Sequence, residues 1–161
     1  LMKDSKKLSE KKRIIAADYI KENAIDYSIA YSDEKAIDRD NIFKCTQATM
    51  HKALNNLNVM PDHLLVDGPH FATYFKDNRL IPFTCVEGGD NLYTSIAAAS
   101  ILAKVERDNY IVELCDMHHG LDEKYGLRKN KGYGTKQHMD GIKKYGTTEW
   151  HRKTFGLCKF Y

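Results

Sequence analysis

The chain has 161 residues, 42% of them hydrophobic and 29% charged, with three prolines. That is ordinary globular composition, and it excludes wholesale disorder and any need for disulfide or metal staples to hold a core. No apolar run approaches a membrane span, and Leu1 to Arg13 is mostly lysine, serine and acid rather than a signal peptide, so the expected compartment is the cytosol or nucleus. The net charge of +3 conceals an uneven distribution: residues 124 to 161 hold ten Lys/Arg against two acids, residues 1 to 13 hold six against two, and the centre carries nine against eighteen. Basic ends suit a polyanion, and equally they suit solvated lysines.

In chain order, Ser9 before "EKKRIIAADYIKENA" reads as a capped helix. "YSIAYS" (Tyr27 to Ser32) reads as a short strand, "DEKAIDRD" as an acidic turn, and Asn41 to Leu57 as a helix with Phe43, Ala48, Ala53, Leu54 and Leu57 largely on one side. "HLLVD" (His63 to Asp67), bounded by Pro61 and Gly68, is too short for a helix and reads as a buried strand. Strand, helix, strand from Tyr27 to Asp67 predicts a βαβ unit and hence a parallel pair. A loop with Pro69, Asp77, Asn78 and Pro82 leads into the strand "PFTCVE", and the longest helix follows from about Thr94 to His118. In the tail, "KGYGTKQHMDGIKKYG" predicts a glycine-bounded turn, a helix capped at Thr135 and a stop at Gly146. The domain expectation is an α/β core over 1–118 and a basic helical extension over 119–161.

Asp67 ends one buried strand and Asp90 follows the next, so parallel strands would bring both carboxylates to one sheet edge, where α/β folds place their sites. Two convergent carboxylates repel unless a cation neutralises them, and oxygen-only ligands suit Mg²⁺ or Mn²⁺. The alternative is that Asp67 starts the turn "DGP" and Asp90 caps the helix. On that helix Ser100, Lys104, Arg107 and Asp108 share a polar face, able to reach a phosphate or merely solvated. Ala98, Ile101, Leu102, Val105 and Val112 form the apolar one. Tyr133, flanked by glycines in "NKGYGT", could stack on a base or sugar, and Ser5, Lys6 and Lys7 precede a helix N-terminus, a place that favours phosphate. The four cysteines are scattered without a Cys-x-x-Cys pair, and His118-His119 lacks a ligand at metal spacing.

Taken together and in order, "DSKKLSEKKR", "LLVDGPHF", "GGDNLYTSIAAASILAKVERD", "NKGYGTKQH" and "HRKTF" closely resemble ribonuclease HII, the type 2 ribonuclease H family, over nearly the whole chain. The resemblance implies a ribonuclease H-like, mixed and mostly parallel sheet flanked by helices, with a helical C-terminal part, in a cytoplasmic protein whose complete family form is expected to be a monomer. It implies cleavage of the RNA strand of RNA-DNA hybrids, and of DNA 5′ of an embedded ribonucleotide, with a divalent metal. By motif, Asp67 and Asp90 would be metal ligands, Lys6, Lys7, Ser100 and Lys104 would lie near substrate phosphates, Tyr133 would pack on the sugar beside the ribonucleotide, and Asp108 would have a structural pairing role. The family also carries, on a strand ahead of "DSKKL", an Asp-Glu-x-Gly-Arg-Gly sequence that does not occur between Leu1 and Tyr161. The expectation is therefore a chain without the first family strands and with weak or no activity by itself, unless that segment is supplied in cis or in trans. Two rivals are a non-catalytic nucleic-acid-binding protein of the same fold, and a nucleotide-binding α/β domain using "EGGDN", which lacks a Gly-x-Gly-x-x-Gly.

Overall fold

A computed structural model describes residues 8–161. Lys6 and Lys7 lie outside the described residues, as does Ser5. The elements are helices α1 (Glu10–Asn23), α2 (Glu34–Asp40) and α3 (Ile42–Asn55), strands β1 (Leu64–Asp67), β2 (Tyr74–Lys76), β3 (Arg79–Ile81) and β4 (Phe83–Val86), then a 3-10 turn over Gly89–Asn91. Helices α4 (Thr94–Met117), α5 (Leu121–Tyr125), α6 (Leu127–Asn130) and α7 (Lys136–Tyr145) follow, with a second 3-10 turn at Gly156–Phe160. They form two compact units. One runs to Ala30 and resumes over Gln47–Glu106; the other comprises Tyr31–Thr46 and Arg107–Tyr161.

In the first unit, Ser9 caps α1 by accepting from the Lys12 amide at 3.4 Å, as expected. The inner face of α1, Ala16, Ala17 and Ile20, packs on Ile101, Leu102 and Val105 of α4. Small residues let the two backbones approach, and a Lys21–Glu106 ion pair at 2.6 Å closes the edge of the contact. β1 and β4 pair in parallel, with Leu64 opposite Phe83 and Asp67 opposite Val86. Leu64 and Val66 point into a second cluster with Tyr74 and Ile81, while Leu65 and Asp67 alternate outward.

Three local readings need correction. Tyr27 to Ser32 is not a strand, so the parallel partner of β1 is β4 and the βαβ unit from Tyr27 to Asp67 does not form. Side-chain bonding takes the place of a ladder there: Asp26 accepts from the amides of Tyr27, Asn58 and Val59 at 2.6 to 2.9 Å. The expected loop between β1 and β4 contains the hairpin β2–β3, whose two turn residues, Asp77 and Asn78, have φ of 51° and 60°. Positive φ at both central positions is what a type I′ hairpin turn requires. The acidic turn is α2, because Asp33 accepts from the Ala36 amide at 2.8 Å while Glu34 and Arg39 complement the helix dipole at either end. On α3, Phe43 and Ala48 are exposed and Cys45 is the buried position.

The second unit is built on Leu114, Cys115, Leu121, Tyr125, Leu127 and Ile142, with Trp150 packed against them. Helix α7 has the predicted cap at Thr135 and stop at Gly146. The segment after Arg152 is tied down by Asp38, which accepts from the Lys153 amide at 2.6 Å and the Thr154 amide at 3.0 Å. No helix among the described residues is long and apolar enough to cross a membrane.

Candidate active site

Asp67 and Asp90 both belong to the first unit. Parallel pairing brings the ends of β1 and β4 to one edge, and the Gly68 amide extends the ladder by donating to Val86 O at 3.0 Å. The chain then turns through Gly88, whose φ of 66° is a left-handed conformation that a Cβ disfavours, and enters the 3-10 turn carrying Asp90. The Gly89 amide donates to Asp67 Oδ1 at 3.0 Å, which sets the Asp67 carboxylate against the residue next to Asp90. Asp67 is exposed at the sheet edge and Asp90 is buried, accepting from the Asn91 side-chain amide at 3.1 Å. Helix α4 starts at Thr94, with its first backbone bond running from the Ala97 amide to Tyr93 O, so Asp90 stands upstream of the N-cap position. Among the described residues no three His, Cys, Asp or Glu are grouped as a metal site, and His118 instead packs its ring 4.3 Å from that of Trp150.

Ser100 and Lys104 lie one turn apart on the α4 segment of the same unit, both half-buried, opposite the packed residues Ile101, Leu102 and Val105. The continuation of the helix in the second unit holds Arg107, exposed, and Asp108, buried at 8% exposure and 3.9 Å from the Arg107 guanidinium.

Tyr133 sits in the second unit on a short loop between α6 and α7, its side chain exposed. Several hydrogen bonds hold that loop. Asn130 donates to Tyr125 O at 2.7 Å and accepts from the Gly132 amide at 2.9 Å. Arg107 donates to Lys131 O at 2.7 Å, and its guanidinium stands 5.3 Å from the Tyr133 ring centroid. The ring is thus backed by a cation and its loop pinned by a side chain from α4. His138, at the third position of α7, has Nδ1 3.0 Å from Tyr133 O. Sequence reasoning placed Arg107 on the polar face without linking it to Tyr133, and passed over Asn130 and His138. The quoted "NKGYGTKQH" spans both of the latter.

An α/β unit with one aspartate at the end of a parallel strand and a second in the 3-10 turn beyond the neighbouring strand, followed by a long helix and a helical C-terminal part, has the fold of the ribonuclease H class. The crystal structure of the ribonuclease H2 from Pyrococcus horikoshii OT3 shares this fold, with a TM-score of 0.69 at 21% identity over 98% of this chain and 78% of that one. The family model of ribonuclease HII matches residues 1–158. The chain is 44% identical over 157 residues to the ribonuclease HII of Christiangramia forsetii, covering 98% of this chain and 75% of the relative. It is 45% identical over 159 residues to that of Parabacteroides distasonis (97% and 74%), and 43% identical over 157 residues to that of Rickettsia akari (98% and 76%). The chain belongs to the ribonuclease HII family, a family of endoribonucleases.

Proposed function

We propose that this protein cleaves the RNA strand of RNA-DNA hybrids, and duplex DNA 5′ of an embedded ribonucleotide, by divalent-metal-assisted phosphodiester hydrolysis in the cytoplasm. The observation that supports the reading is the hydrogen bond from the Gly89 amide to Asp67 Oδ1, which holds the Asp67 carboxylate against the residue that precedes Asp90, in a chain of the ribonuclease HII family. The donors are carboxylate oxygens, which suit a hard ion, and Asp67 and Asp90 would hold Mg²⁺ or Mn²⁺. Bound there, a divalent ion supplies charge that activates water and stabilises the leaving oxygen. Lys6, Lys7, Ser100 and Lys104 neutralise or hydrogen-bond substrate phosphates, and Tyr133 presents its ring to the sugar beside the ribonucleotide. The same reading divides the chain into a catalytic core over 1–118 and a basic extension over 119–161, with a monomer expected for the complete family protein.

Two carboxylates are few for holding two mutually repelling cations. The 161-residue polypeptide by itself is therefore expected to cleave weakly or not at all, and to gain activity when a segment with Asp-Glu-x-Gly-Arg-Gly is fused or added in trans. The test is cleavage of a duplex with a single ribonucleotide in Mg²⁺ or Mn²⁺, with and without that segment, and with Asp67→Asn in the competent form. Loss of cleavage in Asp67→Asn with folding intact is expected. Full cleavage by Asp67→Asn would remove the carboxylate from the chemistry. Binding of hybrid without cleavage in every form would favour the second reading, a non-catalytic binding protein, for which the exposed Tyr133 and the basic ends are the supporting observations.

A further inference from the structure

Two buried histidines in the second unit take no part in the chemistry proposed above. His138 and His151 are 7% and 8% exposed, and their Nε2 atoms are 3.0 Å apart. We infer that His138 and His151 form a pair with fixed tautomers that positions Tyr133 for its contact with nucleic acid; the contact itself rests on the reading above.

The tautomers follow from one group whose role is not in question. The Thr148 backbone amide can only donate, and it points at His151 Nδ1 from 3.0 Å; the Thr148 hydroxyl, 2.7 Å from the same nitrogen, accepts from the Trp150 amide at 3.3 Å and can turn its own proton to Nδ1. His151 Nδ1 therefore accepts, and its proton resides on Nε2. That proton faces His138 Nε2, which must accept, so the His138 proton resides on Nδ1, where it is donated to Tyr133 O at 3.0 Å. Any other assignment sets two N–H groups or two lone pairs against each other in a buried place, where each unmade bond carries its desolvation cost. The Tyr125 ring packs on both, with centroids 5.0 Å from His151 and 6.1 Å from His138. Burial, with the neighbouring His138, keeps His151 neutral at ordinary pH, its pKa lowered to about 4, as the assignment requires. The relay thus runs from the turn at Thr148 to the carbonyl of the residue whose ring is presented. It complements the Arg107 and Asn130 bonds, which hold the flanking Lys131 and Gly132.

A purely structural role would make His138 substitutions act independently of Tyr133. The relay makes them act through it. In the 161-residue chain, long-range ¹H–¹⁵N NMR should show His138 protonated at Nδ1 and His151 at Nε2, and the opposite tautomers would overturn the proposal. Amide exchange at Gly132 to Gly134 should accelerate in His138→Leu but not in His138→Asn, whose amide can still donate to Tyr133 O. Affinity for an RNA-DNA hybrid should fall roughly three- to tenfold in His138→Leu, the size of one lost hydrogen bond, and recover in His138→Asn. In a Tyr133→Ala background His138→Leu should cost nothing further. An equal loss in both backgrounds would sink the positioning role. A Tyr133→Ala chain that binds as the parent does would instead remove the stacking reading, while tautomers and exchange still decide whether the pair holds the loop. Should His138→Leu not fold, the parent's tautomers and the His138→Asn exchange rates decide it.

Discussion

Acidification from pH 7 to pH 4 should destabilise the second unit through His151, by an amount that can be worked out. In the unfolded chain this imidazole takes up a proton near 6.5; in the fold, burial first and the neighbouring His138 second lower that to about 4. The unfolded state therefore binds more protons throughout that interval. The contribution is complete above pH 6.5 and is lost as pH falls from there towards 4, amounting to about 3 kcal/mol. Carboxylates with lowered pKa act in a different window. For Asp38 burial is outweighed by hydrogen bonds from Thr154 and Lys153, for Asp26 the Val59 amide leads, and for Asp40 the Arg39 side chain does. Their contributions are present above their ordinary value of 3.8 and are lost below it. The assay is urea unfolding at a series of pH values followed by fluorescence of Trp150, the single tryptophan, which packs within the same apolar cluster as Tyr125. His151→Asn, which can keep an acceptor for the Thr148 amide but does not titrate, is the control. The stability difference between parent and control should be flat above pH 7 and shrink by about 3 kcal/mol by pH 4. A difference that does not change between pH 7 and pH 4 would refute the reasoning.

Gly141→Ala in α7 should destabilise the protein by about 1 to 3 kcal/mol in urea unfolding, although alanine is the better helix former. A Cβ there would meet the backbone oxygen of Lys124 at 2.3 Å and the ring of the buried Tyr125 at 2.9 Å, neither of which can swing aside as the end of a flexible surface side chain could. Asp38→Ala should cost about 1 to 2 kcal/mol and raise amide exchange at Lys153 and Thr154, whose amides it accepts. Tyr133→Ala should weaken binding to an RNA-DNA hybrid roughly fivefold or more, measured by fluorescence anisotropy, without changing the slope of log affinity against log salt, because stacking releases no counterions.

What the sequence disclosed was what its signals fix locally. Ser9 and Thr135 at helix starts, Gly146 at a stop, and the short apolar runs around Val66 and Cys85 all correspond to observed elements, because a cap or a bounded run acts within a few residues. Tyr27 to Ser32 has the composition of a strand, but a strand needs a partner, and Asp26 ties its start to Asn58 and Val59 instead. The hairpin escaped notice because Asp77-Asn78 lacks the glycine that usually announces such a turn and its strands are three residues each. Of the candidate site, Asp67 and Asp90 were legible as strand-end acids. The bond from Gly89 to Asp67 was not, since it joins residues 22 apart. The histidine pair is less visible still: His138 and His151 are 13 residues apart, and only the folding of α7 against the turn at Thr148 makes them neighbours.

That bond from Gly89 has a consequence for any ion received at the sheet edge. One oxygen of Asp67 is already committed to a backbone amide, so a cation approaching it would draw on the other oxygen or compete with the Gly89 amide for the first. Ion occupancy and the order of the 88–91 turn are then linked quantities. A bound ion that leaves the amide in place should slow its hydrogen exchange, whereas one that displaces it should speed that exchange. The same amide would thus report, without any substrate, which of the two oxygens the ion has taken.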